Sequence, residues 1–139
     1  MVDCIFCDIV AGTAPAAKVY EDDRVLAFFT IGPVAEYHTL VIPKQHARDI
    51  FDVSPEDWQA VTAATQTIAK AYKAQLGITD IQIITSNGAD AQQDVFHLHV
   101  HIVPRTKGDG QDVKWQEDRS ITARFDALLA NISIASKTP

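Results

Sequence analysis

Phe96-His97-Leu98-His99-Val100-His101-Ile102-Val103-Pro104 is the stretch on which the reading of this chain turns. Imidazole and apolar side chains alternate along it, which is the two-residue period of a β-strand. Residues 95–103 therefore read as a strand with His97, His99 and His101 on one face and Leu98, Val100 and Ile102 on the other. Neighbouring same-face rings stand ~6.6–6.8 Å apart, twice the rise per residue. Three rings so placed oppose one another's protonation, so at least one is neutral near pH 7. A neutral imidazole nitrogen is both a nucleophile and a base. Three of the five histidines fall in this one run, a concentration that an ordinary solvated strand face does not require. Alternate residues of a straight strand rarely converge on one ion, which argues against a metal held by these three rings.

Outward from this strand, the chain reads as runs of strands separated by one long helix. Upstream, residues 17–20, 24–30 and 38–43 are short β-branched and aromatic segments. Glu21-Asp22-Asp23 and Gly32-Pro33 serve as the breaks between them. Ser54-Pro55-Glu56-Asp57 opens a helix: a capping hydroxyl, a proline suited to the first turn, and acids at the positive end of the helix dipole. Trp58, Val61, Thr65, Ile68, Tyr72 and Leu76 then recur at steps of three and four, one apolar stripe ending at Gly77. Residues 81–85 read as a strand, 86–93 as a polar loop, 4–11 as a short opening helix. Ile121, Phe125, Leu128, Leu129 and Ile132 read as a C-terminal helix. No βαβ alternation is sustained, so the fold class is α+β, a five-stranded, largely antiparallel sheet with a long helix and a short N-terminal one.

Size and charge narrow the function classes. A chain of 139 residues suits a single domain, 1–139, with its core in 4–105 and a C-terminal segment over 106–139. Twelve Lys and Arg against 18 Asp and Glu leave a net charge of −6. A nucleic acid polymer is a poor partner for that balance, whereas a small anion in a local pocket is compatible with it. No apolar run reaches the ~20 residues of a membrane span, and the N-terminus carries no signal-peptide pattern, so no membrane partner and a cytoplasmic location are expected. Cys4 and Cys7 form a Cys-x2-Cys pair, which in a reducing compartment points to metal or redox chemistry more than to a disulfide.

The run His97-Leu98-His99-Val100-His101 resembles the signature of the histidine triad family. Cys4-Ile5-Phe6-Cys7-Asp8-Ile9, Val19-Tyr20-Glu21-Asp22-Asp23, Val25-Leu26-Ala27-Phe28 and His38-Thr39-Leu40-Val41-Ile42-Pro43-Lys44 are similar to its Hint-like, nucleotide-binding branch. The resemblance implies a hydrolase or transferase acting at the α-phosphorus of nucleoside phosphoramidates or related nucleotides, through a covalent phospho-histidine. It assigns His99 as nucleophile, with His101, His97 and His38 completing the catalytic set. Asn87, Gln93, Asp94, Phe28, Thr30 and Ile31 fall on nucleotide-binding positions. A structural zinc ion would be held by Cys4, Cys7, His46 and His97, a Cys2His2 set of standard composition. Relatives form homodimers whose sheets join, with a C-terminal aromatic, here Trp115, near the partner's pocket. Four positions depart from the pattern: Thr30 replaces an aspartate that binds ribose, Gln92 replaces a glycine, and Glu36-Tyr37 precede His38. The alternatives within reach of the same residues are a dinucleoside polyphosphate hydrolase and a nucleotide-binding module with vestigial turnover.

Overall fold

A computed structural model describes residues 3–135 of the chain; the expected single domain extends to residues 1–2 and 136–139, which lie outside the described residues. The sheet has five strands in the order β1-β2-β3-β5-β4, every neighbouring pair antiparallel. They are β1 (Lys18–Glu21), β2 (Val25–Phe29), β3 (Thr39–Pro43), β4 (Ile81–Ile84) and β5 (Val100–Pro104). The turn between β1 and β2 is closed by Asp22, whose Oδ1 accepts from the backbone N–H of Arg24 and of Val25 at 2.9 and 2.8 Å. Strands β2 and β3 are apolar at almost every position because both of their faces are covered.

Helix α2 (Pro55–Leu76) covers one face. Ser54 Oγ accepts from Asp57 N–H at 3.1 Å, and Gly77, at φ 70°, ends the helix in the left-handed conformation a glycine adopts without Cβ conflict. Val61, Ala64, Ile68 and Tyr72 pack on Val25, Ala27, Val41, Val100 and Ile102. Each large side chain buried there contributes ~1.5–3 kcal/mol. The stripe is as read from the sequence except at its last position, where Leu76 is exposed.

Helix α1 (Ile5–Ala11) covers part of the opposite face, placing Phe6 and Ile9 on Leu26, Phe28, Leu40 and Ile42. A cleft remains on this side of the sheet, between α1 and the ends of β2, β3 and β5. Among the described residues, no helix is long and apolar enough to cross a membrane.

Two elements differ from expectation. The strand expected over 95–103 begins only at Val100. Leu40 pairs with His101 and Val41 with Val100, so continuing the ladder would bring β5 opposite Pro43, which has no N–H to give. The backbone turns away instead, and Leu98 N–H donates to Ala47 O at 2.7 Å. The expected C-terminal helix is a 3₁₀ stretch, Arg119–Arg124, followed by the single-turn α3 (Phe125–Leu129). Its apolar residues Ile121, Phe125, Leu128, Leu129 and Ile132 are all exposed. With no surface to pack on, so short a helix has little to extend it.

Candidate active site

The break at Val100 divides the histidine run into two chemistries. All three rings stay on the α1 side, where the edge of Phe6 meets both His97 and His99, at centroid distances of 5.8 and 5.3 Å. His99 and His101 keep the strand's alternation and line the cleft, their ring centroids 5.0 Å apart. His97 is fully buried and turns into a separate cluster with the two cysteines. The three rings share one side of the sheet as expected, and the bend ahead of β5 aims the first of them at Cys4, Cys7 and His46.

Hydrogen-bond directions assign the tautomers in the cleft. A carbonyl only accepts, so the contact between His99 Nδ1 and His97 O at 2.8 Å places a hydrogen on Nδ1, and in the neutral ring the electron pair is then on Nε2. The backbone at His99 is held from the other side by Thr85, whose hydroxyl donates to His99 O at 2.9 Å. A backbone amide only donates, so Val34 N–H, 3.2 Å from His38 Nδ1, places the hydrogen of that ring on Nε2. His38 Nε2 therefore donates to His101 Nδ1 at 2.9 Å, and His101 carries its own hydrogen on Nε2. The pocket thus offers a nucleophilic nitrogen from His99 and a donor from His101, two complementary functions.

Burial favours the uncharged form of His101 and His38. His101 is pushed down to about 4, first by desolvation and then by the neighbouring His99 and His38 rings. Desolvation lowers His38 as well.

The cleft has a volume of about 730 Å³ and mostly apolar walls. Phe28 and Leu40 form its buried floor; Phe29, Thr30 and Ile31 form one rim and Val95 the other. The Thr30 hydroxyl accepts from Gly32 N–H at 3.3 Å, within its own loop. Asp94 lies at the mouth with Oδ1 3.5 Å from His99 Nε2. Among the described lining residues Asp94 is the single charged side chain, with no Lys or Arg to balance it.

The structure does not bring Asn87 or Gln93 to the cleft wall. Asn87 Oδ1 accepts from Ile50 N–H at 2.7 Å. Gln93 is buried as a cross-tie, accepting from Gly88 N–H and donating to Arg48 O and Val95 O. Tyr37 stays clear of the cleft too: at φ 63° its ring turns onto Phe29 and Tyr72, at 5.8 and 5.6 Å. Trp115 is exposed on the C-terminal segment.

Three contributors escaped the sequence reading. Phe6, Thr85 and the Val34 amide position the histidines, and of these Phe6 alone had a signal, its place inside the Cys-x2-Cys motif.

The second cluster joins Cys4, Cys7, His46 and His97, whose donor atoms all lie within 4.8 Å of one another. His97 Nε2 donates to Pro43 O at 2.8 Å, which leaves Nδ1 as its free donor atom, 3.4 and 3.6 Å from the two sulfurs and 3.2 Å from His46 Nδ1. Two thiols and two imidazoles converging in a partly buried space match the donor set of a tetrahedral metal centre, and the Pro43 carbonyl orients the His97 ring from behind. Burial and the neighbouring thiol push Cys7 up to about 11, so a nearby cation is needed for it to ionise near neutral pH.

The model of the HIT domain family matches residues 11–108. The chain is similar to Protein hit of Bacillus subtilis, 44% identical over 136 residues that make up 97% of this chain and 94% of that protein. It is 36% identical over 107 residues to the adenylylsulfatase HINT3 of Arabidopsis thaliana, 77% of this chain and 54% of that one. The crystal structure of a Zn-bound histidine triad family protein from Mycobacterium smegmatis superposes with a TM-score of 0.75 at 40% identity, covering 93% of this chain and 94% of that chain.

Proposed function

This chain belongs to the HIT family, and from that premise we propose that it is a nucleotide-binding hydrolase or transferase acting at the α-phosphorus of nucleoside phosphoramidates or related nucleotides. The observation that carries this reading is the bare Nε2 of His99 in the cleft, its tautomer set by the His97 carbonyl. The Nε2 electron pair forms a bond to phosphorus while the bond from phosphorus to the leaving nitrogen breaks. The departing pair stays on that nitrogen, which takes a proton from solvent at the cleft mouth. Positive charge on the phosphorylated ring is stabilised by the Nδ1–H bond to His97 O. The Nε2–H of His101, held in place by His38, donates to a non-bridging phosphoryl oxygen, where charge accumulates in the transition state. Water then attacks phosphorus, the pair returns to His99 Nε2, and the water's proton is lost to solvent. The nucleoside base packs among Phe28, Phe29 and Ile31 on the apolar side of the cleft.

Cys4, Cys7, His46 and His97 would hold a zinc ion, whose contribution is to tie α1 to the segment carrying the nucleophile. The chain acts as one HIT-like domain. It pairs as a homodimer through the open β4 edge, bringing the exposed Trp115 segment near the partner's cleft. A cytoplasmic location keeps the two thiols reduced for that metal.

Steady-state kinetics on adenosine 5′-phosphoramidate test the reading. His99→Ala loses at least ~1,000-fold in kcat, the scale expected when a covalent nucleophile is removed, while retaining binding of AMP. Turnover that survives the substitution overturns the covalent route. The runner-up reading is a nucleotide-binding module with vestigial turnover, favoured by the hydroxyl of Thr30 being engaged within its own loop. Tight AMP binding with no turnover by the unaltered protein would establish it.

A further inference from the structure

Asp94 is held in an unusual position for an acid in a site that accepts phosphate. Its Oδ1 accepts from the N–H of Val95 at 2.8 Å and lies 3.5 Å from His99 Nε2, while the side chain is 80% exposed. A nucleophile and its target atom approach to ~3–3.5 Å before reaction, so this oxygen stands where the phosphoryl group must arrive. A bound substrate displaces the carboxylate, and its exposure leaves the mouth as the open direction for that movement. In-line displacement sends the leaving group away from Nε2, so it departs through the space that the displaced carboxylate shares. No lysine or arginine lines the cleft to offset this charge.

We infer that Asp94 selects the leaving group, favouring nucleotides whose α-phosphorus bears a neutral or ammonium-carrying amine and disfavouring those whose leaving group is phosphate or polyphosphate. The inference rests on the proposed function and specifies its substrate class. The bond changes are those already given; what differs between substrates is the charge the departing group carries past Asp94. Like charges brought within a few ångströms of each other repel even through water, and more strongly where apolar walls exclude it. Discrimination of at least tenfold is therefore expected from this one side chain.

The test compares kcat/KM for two compounds that both release AMP: an adenosine 5′-phosphoramidate whose leaving amine carries an ammonium group, and ADP, whose leaving group is phosphate. Wild type favours the first. Asp94→Asn, of the same shape without the charge, shifts the ratio towards ADP by about tenfold or more, and higher ionic strength narrows the difference in wild type but not in the variant. A ratio that moves less than twofold, or an equal loss on both compounds, overturns the inference. Asp94→Ser, with circular dichroism on both variants, guards against an effect of folding. If wild type turns over neither compound, the hydrolase reading itself fails. Selection by Asp94 is then read from the Kd values of the same two compounds: a tenfold shift in their ratio supports it, and an unchanged ratio rejects it.

Discussion

His101 illustrates how one residue's surroundings set both its role and its cost. Its ring is half-buried against His99 and His38 and stays neutral down to about pH 4, whereas in the unfolded chain it takes up a proton near 6.5. As pH falls through that window the unfolded state binds the proton first, so the stability is fully present above 6.5 and is lost towards 4. The expected slope from this residue is at most about 1.4 kcal/mol per pH unit. Urea unfolding of His101→Gln between pH 4 and 7 should show a shallower dependence than wild type; an unchanged slope would mean that His101 is not shielded. Gln92 is a second residue under local constraint, held at φ 71° at the end of the short 3₁₀ turn Ala89–Ala91. A side chain in that region costs ~1–2 kcal/mol relative to its relaxed state. Gln92→Gly is expected to raise the unfolding free energy by about 1 kcal/mol, because glycine carries no Cβ into the conflict. Tyr37, at φ 63°, is not an equivalent target, since its ring contacts Phe29 and Tyr72 would be lost with the strain.

Among the elements, α1 depends most on side chains distant in sequence. It spans only Ile5–Ala11, too short to persist alone. What holds it is the packing of Phe6 and Ile9 and the convergence of Cys4 and Cys7 with His46 and His97. A ligand that binds only the folded state stabilises it, by about 4 kcal/mol at a thousandfold excess over Kd. Elemental analysis of untagged protein should therefore find about one zinc per chain, and chelation should lower the thermal midpoint by at least about 5 °C. Cys4→Ser should abolish that sensitivity to chelator. Protein free of zinc and indifferent to chelation would reduce the cluster to one buried and one half-buried thiol beside two imidazoles. The shortened β5 is the other element whose extent matters to function. Pro43 ends its ladder with β3, and the segment released carries His97 to Cys4, Cys7 and His46 and His99 to the cleft.

At the scale of the whole molecule, the open edge is the feature with the clearest consequence. β4 ends the sheet with Ile83 and Ile84 exposed. Beside it a groove of about 480 Å³ runs between Trp58, Thr62 and Gln66 of α2 and Ile83. An unprotected apolar strand edge invites pairing with another strand, which supports the homodimer. Ile83→Lys places a charge in that edge and is expected to convert a dimer of about 30 kDa, twice the 15.2 kDa chain, into monomers in sedimentation at micromolar concentration. Wild type that sediments as a monomer would remove the dimer from the proposal.

The sequence by itself determined the antiparallel α+β layout and the long helix, because a two-residue period and a stripe at steps of three and four leave few ways to bury apolar surface. Spacing also marked His97, His99 and His101 and the pair Cys4 and Cys7, since those residue types have few other reasons to recur at such intervals, whereas His38 and His46 were marked only by the resemblance to the histidine triad family. The resemblance already assigns His97 and His99 to different sets of residues; the tertiary structure supplies the geometry that separates them. That separation comes with the ladder stopping opposite Pro43, a meeting of residues 43 and 98 that no local pattern announces. The tautomers of His99 and His38 were likewise beyond the sequence, because each is set by a backbone group, His97 O and Val34 N–H, whose direction exists only once the chain has turned. The same holds for Asn87 and Gln93, polar residues beside the triad whose hydrogen bonds go to neighbouring loops, since partners for a side chain are chosen by proximity in space.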